Sequence, residues 1–439
     1  MEQRIARTAW LVTFGAVLVL PVLLYLAITP AGPMWSQLST VTGLLALSAL
    51  ACATILPSRL RSLTRAFGIE SVLDVHRFLG CSAAILTLLH LACVVAADPA
   101  KVALLDVTHA GPAPLSATAS TVAMLTLIVL AMLRSRLRLA YEAFRWSHVG
   151  LAAASLLFAG LHVWFLNKLV AHPVMDGMFA AIAALLIAVL GYRWIWRTML
   201  DPTAEFIVQQ VRAETHTVST LVLKARTRHS GEVFDFEPGQ FAWIRLDRSP
   251  AAQEHPFTIA SAARRDHTVE FTIRHAGDFT KALPGLHPGS PVWVDGPHGA
   301  FTPGTGRTGV VMIAGGVGVT PMMSMLRTAA HRGDRRPYRL VVVAGRREEL
   351  LFRDELAVMR TQLDLEVTEV LRRPVPDWSG HTGDIGVGLL TAVLAAEERL
   401  GDLDYFLCGP AGLVTDALDA LSVLDVPLDR IHTEQFDMV

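Results

Sequence analysis

The stretch DVHRFLGCSAAILTLLHLA, Asp74 to Ala92, places His76 and His90 fourteen residues apart inside an otherwise apolar run. In a helix this spacing climbs about 21 Å, and fourteen steps of roughly 100° return to within about 40° of the starting direction. Both imidazoles therefore leave one helix face at two different depths. A second run, SHVGLAAASLLFAGLHVWF from Ser147 to Phe165, repeats the pattern with His148 and His162. Ionisable side chains are rare within bilayer-spanning segments and mark function there.

Around these two runs the first half of the chain is apolar almost throughout. The 439 residues are 52% hydrophobic, with a mean hydropathy of +0.43, too apolar for an ordinary soluble enzyme. Six stretches are long enough to span a bilayer: roughly 9–29, 37–56, 72–97, 118–133, 143–167 and 174–198. The first follows Arg4 and Arg7 like a signal peptide, but it is too long for one and reads as a retained helix. Residues 1–200 hold 14 Lys+Arg against 7 Asp+Glu, whereas 201–439 hold 24 against 32. Arginines gather before the first span, at 59–65, at 134–145 and at 193–197; the alternate loops carry only Lys101 and Lys168. The positive-inside rule then puts both termini in the cytoplasm of a multi-pass, bacterial-type plasma-membrane protein surrounded by lipid.

With that orientation the third and fifth spans run in the same direction, so His76 faces His148 near the cytosol and His90 faces His162 near the outside. Each level offers two imidazole nitrogens across a gap, the ligand set of a bis-histidine haem. Zinc wants three or four ligands at one depth. A proton relay wants intramembrane carboxylates, and only Asp74 and Asp176 lie near span ends. The chain has no C-x-x-C-H haem attachment site, so the reading is two low-spin b-type haems with His76, His90, His148 and His162 as iron ligands.

The second half changes character. Short alternating runs punctuated by Gly and Pro, such as HTVSTLVLKA and HTVEFTIRH, predict an antiparallel β-barrel over 201–305. From 306 to 439, buried strands such as GVVMIAGG and YRLVVVAG alternate with helical segments, predicting an α/β domain. In FTIRHAGDFTKAL, Gly277 frees backbone N–H groups, Thr280 adds a hydroxyl at a helix start and Arg274 adds a cation, a seat for pyrophosphate. In VVMIAGGVGVTPMMSML, Gly315, Gly316 and Gly318 let the backbone approach a second pyrophosphate, and Thr320 and Pro321 start the helix. Arg346, just after the next strand, is placed to grip an adenosine 2′-phosphate.

These motifs, in this order, resemble the ferredoxin–NADP reductase superfamily. His255-Pro256-Phe257-Thr258 has the HPFT form of NADPH oxidases and ferric reductases, Arg274 to Thr280 (with Gly277 and Asp278) matches R-x-x-G-D-[FW]-T, and DGPHGAF matches a G-P-x-G turn. The resemblance implies that Phe257 packs near the isoalloxazine of FAD, Thr258 bonds its polar edge and His255 lies toward its phosphates. It likewise implies that Cys408, Gly409 and Pro410 of FLCGP flank the nicotinamide, and that Phe436 of the terminal E-x-F covers the flavin. Over nearly its whole length the chain resembles a bacterial NADPH oxidase or ferric reductase: a six-helix di-haem domain (1–200), an FAD barrel and an NAD(P) domain.

The implied function is electron transfer from cytosolic NADPH (or NADH) through FAD and two haems to a small-molecule or O2 acceptor on the outer face. Ferric chelate and oxygen are both compatible with every motif. The alternative is a haem–flavin subunit serving a periplasmic protein partner. His172, in an outer loop, is a candidate beside the acceptor, and Trp194 and Trp196 are candidates between flavin and inner haem. No EF-hand loop suggests calcium control, and no nucleic-acid partner is expected.

Overall fold

In the computed structural model the described residues are 2–134, 136–139, 141–226, 234–249, 251–264, 267–304, 309–397 and 399–435. They form two compact units, Met1–Thr198 and Met199–Val439.

The first unit is helical: α1 (Glu2–Ile28), α2 (Met34–Ile55), α3 (Arg61–Phe67), α4 (Ile69–Ala97), α5 (Pro112–Leu133), α6 (Tyr141–Leu166) and α7 (Pro173–Gly191). The last continues as nine π-helical residues, Tyr192–Leu200. All but α3 are long and apolar enough to cross a membrane. Large apolar side chains such as Phe78, Ile85, Met132 and Ile187 are exposed on them, as a lipid-facing surface requires. This unit is a multi-pass membrane domain.

The fourth span starts at Pro112, six residues before the apolar pattern places it. Proline in a first helical turn omits an N–H that has no intrahelical partner anyway, so Pro112 and Pro114 open the helix instead of blocking it. Hydropathy does not reveal α3, which is short, begins at Arg61 and stops at Gly68 with φ 76°. Within the unit α4 packs along α2 and α6 along α5.

The second unit holds two sheets. Strands β1 (Glu205–Thr215), β2 (Val218–Ala225), β3 (Phe241–Arg245), β4 (His255–Thr258), β5 (Thr268–Arg274) and β6 (Pro291–His298) form an antiparallel sheet in the order β4-β3-β6-β1-β2-β5. A single bridge from Ile259 to Phe271 links its two edges. Alternate residues, among them Phe206, Leu221, Leu223 and Phe271, fill the interior. The short helix α8 (Asp278–Ala282) lies between β5 and β6.

The remaining elements are β7 (Val310–Gly315), α9 (Val319–Arg332), β8 (Tyr338–Ala344), α10 (Arg353–Met359), β9 (Leu365–Leu371), β10 (His381–Thr382), α11 (Val387–Val393), β11 (Asp404–Gly409), α12 (Ala411–Val423) and β12 (Ile431–Gln435). Their strands form a parallel sheet, β10-β9-β8-β7-β11-β12. α9 and α10 cover one face, α11 and α12 the other. Because both faces are covered, β7 and β8 are buried throughout. The chain leaves β7 toward β8 on one side and returns to β11 on the other. Between the carboxyl ends of β7 and β11 lies the topological switch point, where such sheets bind their ligands.

Candidate functional site

The four histidines meet as two pairs. The His76 and His148 ring centres are 5.9 Å apart, and those of His90 and His162 are 6.4 Å apart. An imidazole nitrogen sits about 2 Å from a metal it binds, so two imidazoles on opposite sides of one iron have ring centres roughly 6 Å apart. Among the described residues no group of three or more His, Cys, Asp or Glu side chains is gathered for a metal. Each level therefore offers two ligands, which suits a group that brings its own equatorial donors.

Three of the rings are anchored through Nδ1 to a backbone carbonyl of a neighbouring helix. His76 bonds Ala53 at 2.9 Å, His90 bonds Ser39 at 2.6 Å, and His162 bonds Ala113 at 2.9 Å. A carbonyl only accepts, so Nδ1 must carry the proton and Nε2 keeps a free lone pair, the arrangement usual for a metal-ligating histidine. The Ala53 carbonyl is free for this because residue 57, which would bond it within the helix, is Pro57. Ser39 is reached because residue 43 is glycine: a Cβ there would stand 2.9 Å from His90 Nδ1. His148 Nδ1 is buried and has no hydrogen-bond partner, and its ring lies 5.4 Å from that of Phe144.

Of the other candidates in this unit, Trp194 packs against Trp146 with ring centres 5.8 Å apart, while Trp196 is exposed. His172 caps α7 by accepting the Val174 N–H at 3.3 Å, a structural use of its ring.

In the second unit two motifs that are apart in sequence converge. His255 of β4 lies 4.6 Å from the ring of Phe279 at the start of α8, and Phe257 stacks on Phe279 at 6.1 Å with 17° between planes. Phe279 fills the aromatic position of the quoted R-x-x-G-D-[FW]-T motif, but only the fold shows that it meets the HPFT strand. Pro256 is tolerated because β4 is an edge strand. The Thr258 hydroxyl is buried with no hydrogen-bond partner, a cost of about 1–3 kcal/mol unless something meets it. A flavin's polar edge is suited to meet it.

At the G-D-F-T turn the backbone N–H groups read from sequence as free are bonded by Thr280. The Thr280 hydroxyl accepts the N–H groups of Ala276 and Gly277 and donates to the Gly277 carbonyl, at 2.9, 3.0 and 3.0 Å. The Gly277 N–H is thus bonded inside the turn and is not free for a phosphate. Arg274 and Asp278 are exposed beside this turn.

At the switch point the three glycines have separate reasons. Gly316 alone has a positive φ, 55°, and a Cβ there would meet nothing within 4 Å. Gly318 lies against β11, where a Cβ would stand 2.3 Å from the Cys408 carbonyl oxygen. Gly315 and Gly409 pack backbone to backbone, a Cβ on Gly409 meeting the Gly315 nitrogen at 3.1 Å. Thr320 is the second residue of α9 and donates to the Val317 carbonyl at 2.7 Å; Pro321 follows it, buried. Cys408 is fully buried at the end of β11 and Pro410 precedes α12.

Arg346 is exposed beyond β8, its Nη1 3.8 Å from Glu348. On β12, next to β11, His432 stacks on Phe406 at 4.7 Å; burial lowers its pKa, an effect that Asp404 opposes and Arg430 reinforces. Phe436 lies outside the described residues.

Comparison with known proteins agrees with this layout. Residues 42–159 match the family described as ferric reductase like transmembrane component, residues 207–300 match an FAD-binding domain, and residues 312–419 match an oxidoreductase NAD-binding domain. The chain has the domain architecture of the ferric reductase and NADPH oxidase-like proteins. It is an NAD(P)H-dependent flavin oxidoreductase with a ferric-reductase-like membrane domain.

Among curated relatives, it is 30% identical over 236 residues to the reductase component of propane 2-monooxygenase from Mycolicibacterium smegmatis, covering 52% of this chain and 66% of that one. It is 29% identical over 217 residues to ferredoxin–NADP reductase B of Sorangium cellulosum, covering 48% and 89%. Among solved structures, it is similar to the FAD/NAD-binding domain of a Vibrio cholerae nitric oxide dioxygenase, with 24% identity, a TM-score of 0.47 and coverage of 53% and 98%. Each of these likenesses covers about half of this chain.

Proposed function

We propose that the chain carries electrons from NAD(P)H through FAD and two b-type haems, stacked across a bacterial-type plasma membrane, to a ferric chelate or O2 at the outer face. The observation that carries this reading is the pairing of His76 with His148 and of His90 with His162, at separations suited to one iron each. The arginine-rich loops support a cytosolic flavin module. FAD, when bound, takes up a hydride's two electrons and can release them singly to low-spin haems, which pass one at a time.

The chain's own part is positional. Carbonyls of Ala53, Ser39 and Ala113 hold three imidazoles in the ligating tautomer. Thr258, Phe257 and Phe279 form the flavin shelf, and Cys408, Gly409 and Pro410 stand at the nicotinamide side of the switch point. His76 with His148, and His90 with His162, would each hold one haem, which would supply one-electron transfer to the acceptor and not ligand chemistry at iron.

The test reduces the purified chain with NADPH without oxygen, then follows haem reoxidation separately by ferric chelate and by oxygen. Rapid reoxidation by one of them names the acceptor. Reoxidation by neither would overturn the small-molecule reading in favour of a protein partner, and a preparation without two haems would overturn the whole.

Two substitutions refine it. Gly43→Ala is expected to push the His90 ring off the Ser39 carbonyl and lower outer-haem content; Gly15→Ala, where a Cβ meets nothing within 4 Å, is the control. Equal haem content by pyridine haemochrome assay in the two variants would show that the ring tolerates the added methyl. Arg346→Ala is expected to raise the KM for NADPH about tenfold and leave that for NADH nearly unchanged, because only the 2′-phosphate needs the guanidinium. Equal changes for both nucleotides would make Arg346 a solvated surface charge.

A further inference from the structure

α9 begins at the glycine-rich turn and carries Ser324, Arg327 and Thr328 at the i, i+3, i+4 spacing of one helix face. All three bond the backbone of one short segment. Arg327 Nη1 donates to the Ala260 carbonyl at 2.7 Å. Ser324 Oγ donates to the Ser261 carbonyl at 2.8 Å. Thr328 Oγ1 accepts the Ala263 N–H at 2.8 Å. This segment starts two residues after Thr258, the last residue of the HPFT strand.

The rest of the Arg327 guanidinium turns the other way. Its Nε and Nη2 donate to the two carboxylate oxygens of Glu355 in α10, both at 2.7 Å. It also lies 5.2 Å over the ring of Phe352, which closes the loop that carries Arg346 and has φ 60°. One side chain, only 11% exposed, therefore joins the flavin strand, the helix of the nucleotide turn and the loop after β8.

Packing alone does not call for this arrangement. Other residues of α9, including Met322, Met323 and Leu326, already supply apolar cover. Withdrawing a guanidinium from water is costly unless its donors are well paired. What directional bonds to named backbone atoms add is register: an apolar contact can slide, whereas a fork held by a carbonyl and a bidentate carboxylate cannot.

We propose that Arg327 is a positioning residue, which keeps the nucleotide turn and the 346–352 loop in register with the flavin strand so that hydride donor and acceptor meet at reacting distance. Errors of about 1 Å in such geometry cost on the order of 100-fold in rate. The proposal rests on the FAD and NAD(P) domains and not on the haems or the acceptor, because the step it concerns precedes them.

The test follows flavin reduction by NADPH in the full-length chain, by anaerobic stopped flow. Arg327→Met keeps an apolar stem and removes every donor. The limiting rate of flavin reduction is expected to fall about 10- to 100-fold, with FAD content and half-saturating NADPH nearly unchanged. Arg327→Lys is expected to recover part of the rate. An unchanged limiting rate with only a lower unfolding temperature would overturn the proposal. If Arg327→Met loses its FAD, Glu355→Gln and Ser324→Ala take its place: a slower limiting rate in either supports the register, and wild-type rates in both overturn it.

Discussion

Replacing His90 by leucine is expected to halve the haem content of the purified chain while NADPH reduces the flavin at the wild-type rate. The ring lies 6.4 Å from that of His162 and is held by the Ser39 carbonyl at 2.6 Å. Leucine fills similar volume with no donor atom, so the helix keeps its packing and the outer level loses one of its two ligands. His76→Leu is expected to take away the inner equivalent by the same reasoning. In either variant electron delivery to an external acceptor should fall by orders of magnitude, because the two levels lie about 21 Å apart along the helix and neither substitutes for the other. Pyridine haemochrome analysis with flavin quantification reads the outcome. Two full haem equivalents in His90→Leu would break the assignment of ligands.

The second large effect is structural. Gly318→Ala would set a Cβ 2.3 Å from the Cys408 carbonyl oxygen, 2.7 Å from its carbon and 3.1 Å from the Gly409 Cα. All three are backbone atoms of β11, a strand held on both sides by β7 and β12. A clashing side chain can rotate aside, but a central strand can move only by breaking its ladders. Overpacking of this kind costs about 1–3 kcal/mol and often more, and here it also opens the switch point. The expectation is a loss of roughly 3 kcal/mol in denaturant unfolding of the second unit, together with weakened nucleotide binding. Gly316→Ala is the comparison: its Cβ has open space and only the positive φ opposes it, at about 1–2 kcal/mol. Equal losses in the two variants would mean that β11 yields to the methyl group.

Much of the site is legible in sequence because its signals are local. The G-D-F-T run sits at a helix start, as its residue types suggest, while the HPFT run itself forms an edge strand. The Gly277 N–H is taken up for a local reason as well: a threonine three residues on competes for it. That competition is common for hydroxyl side chains near helix starts, and Thr280 was the available signal.

By itself the sequence determined the six apolar spans, the two depths of the histidines and the order of flavin and nucleotide motifs. Hydrophobicity, helical periodicity and glycine turns are properties of neighbouring residues, so they can be read without a fold. Only the tertiary structure decided which carbonyls anchor the imidazoles, why Gly43 and Gly318 must be small, that Phe279 packs against His255 and Phe257, and that Arg327 links two domains. The reason is physical. Every residue offers a carbonyl and every glycine offers space, so such partners carry no mark in the chain until packing brings one of them within about 3 Å.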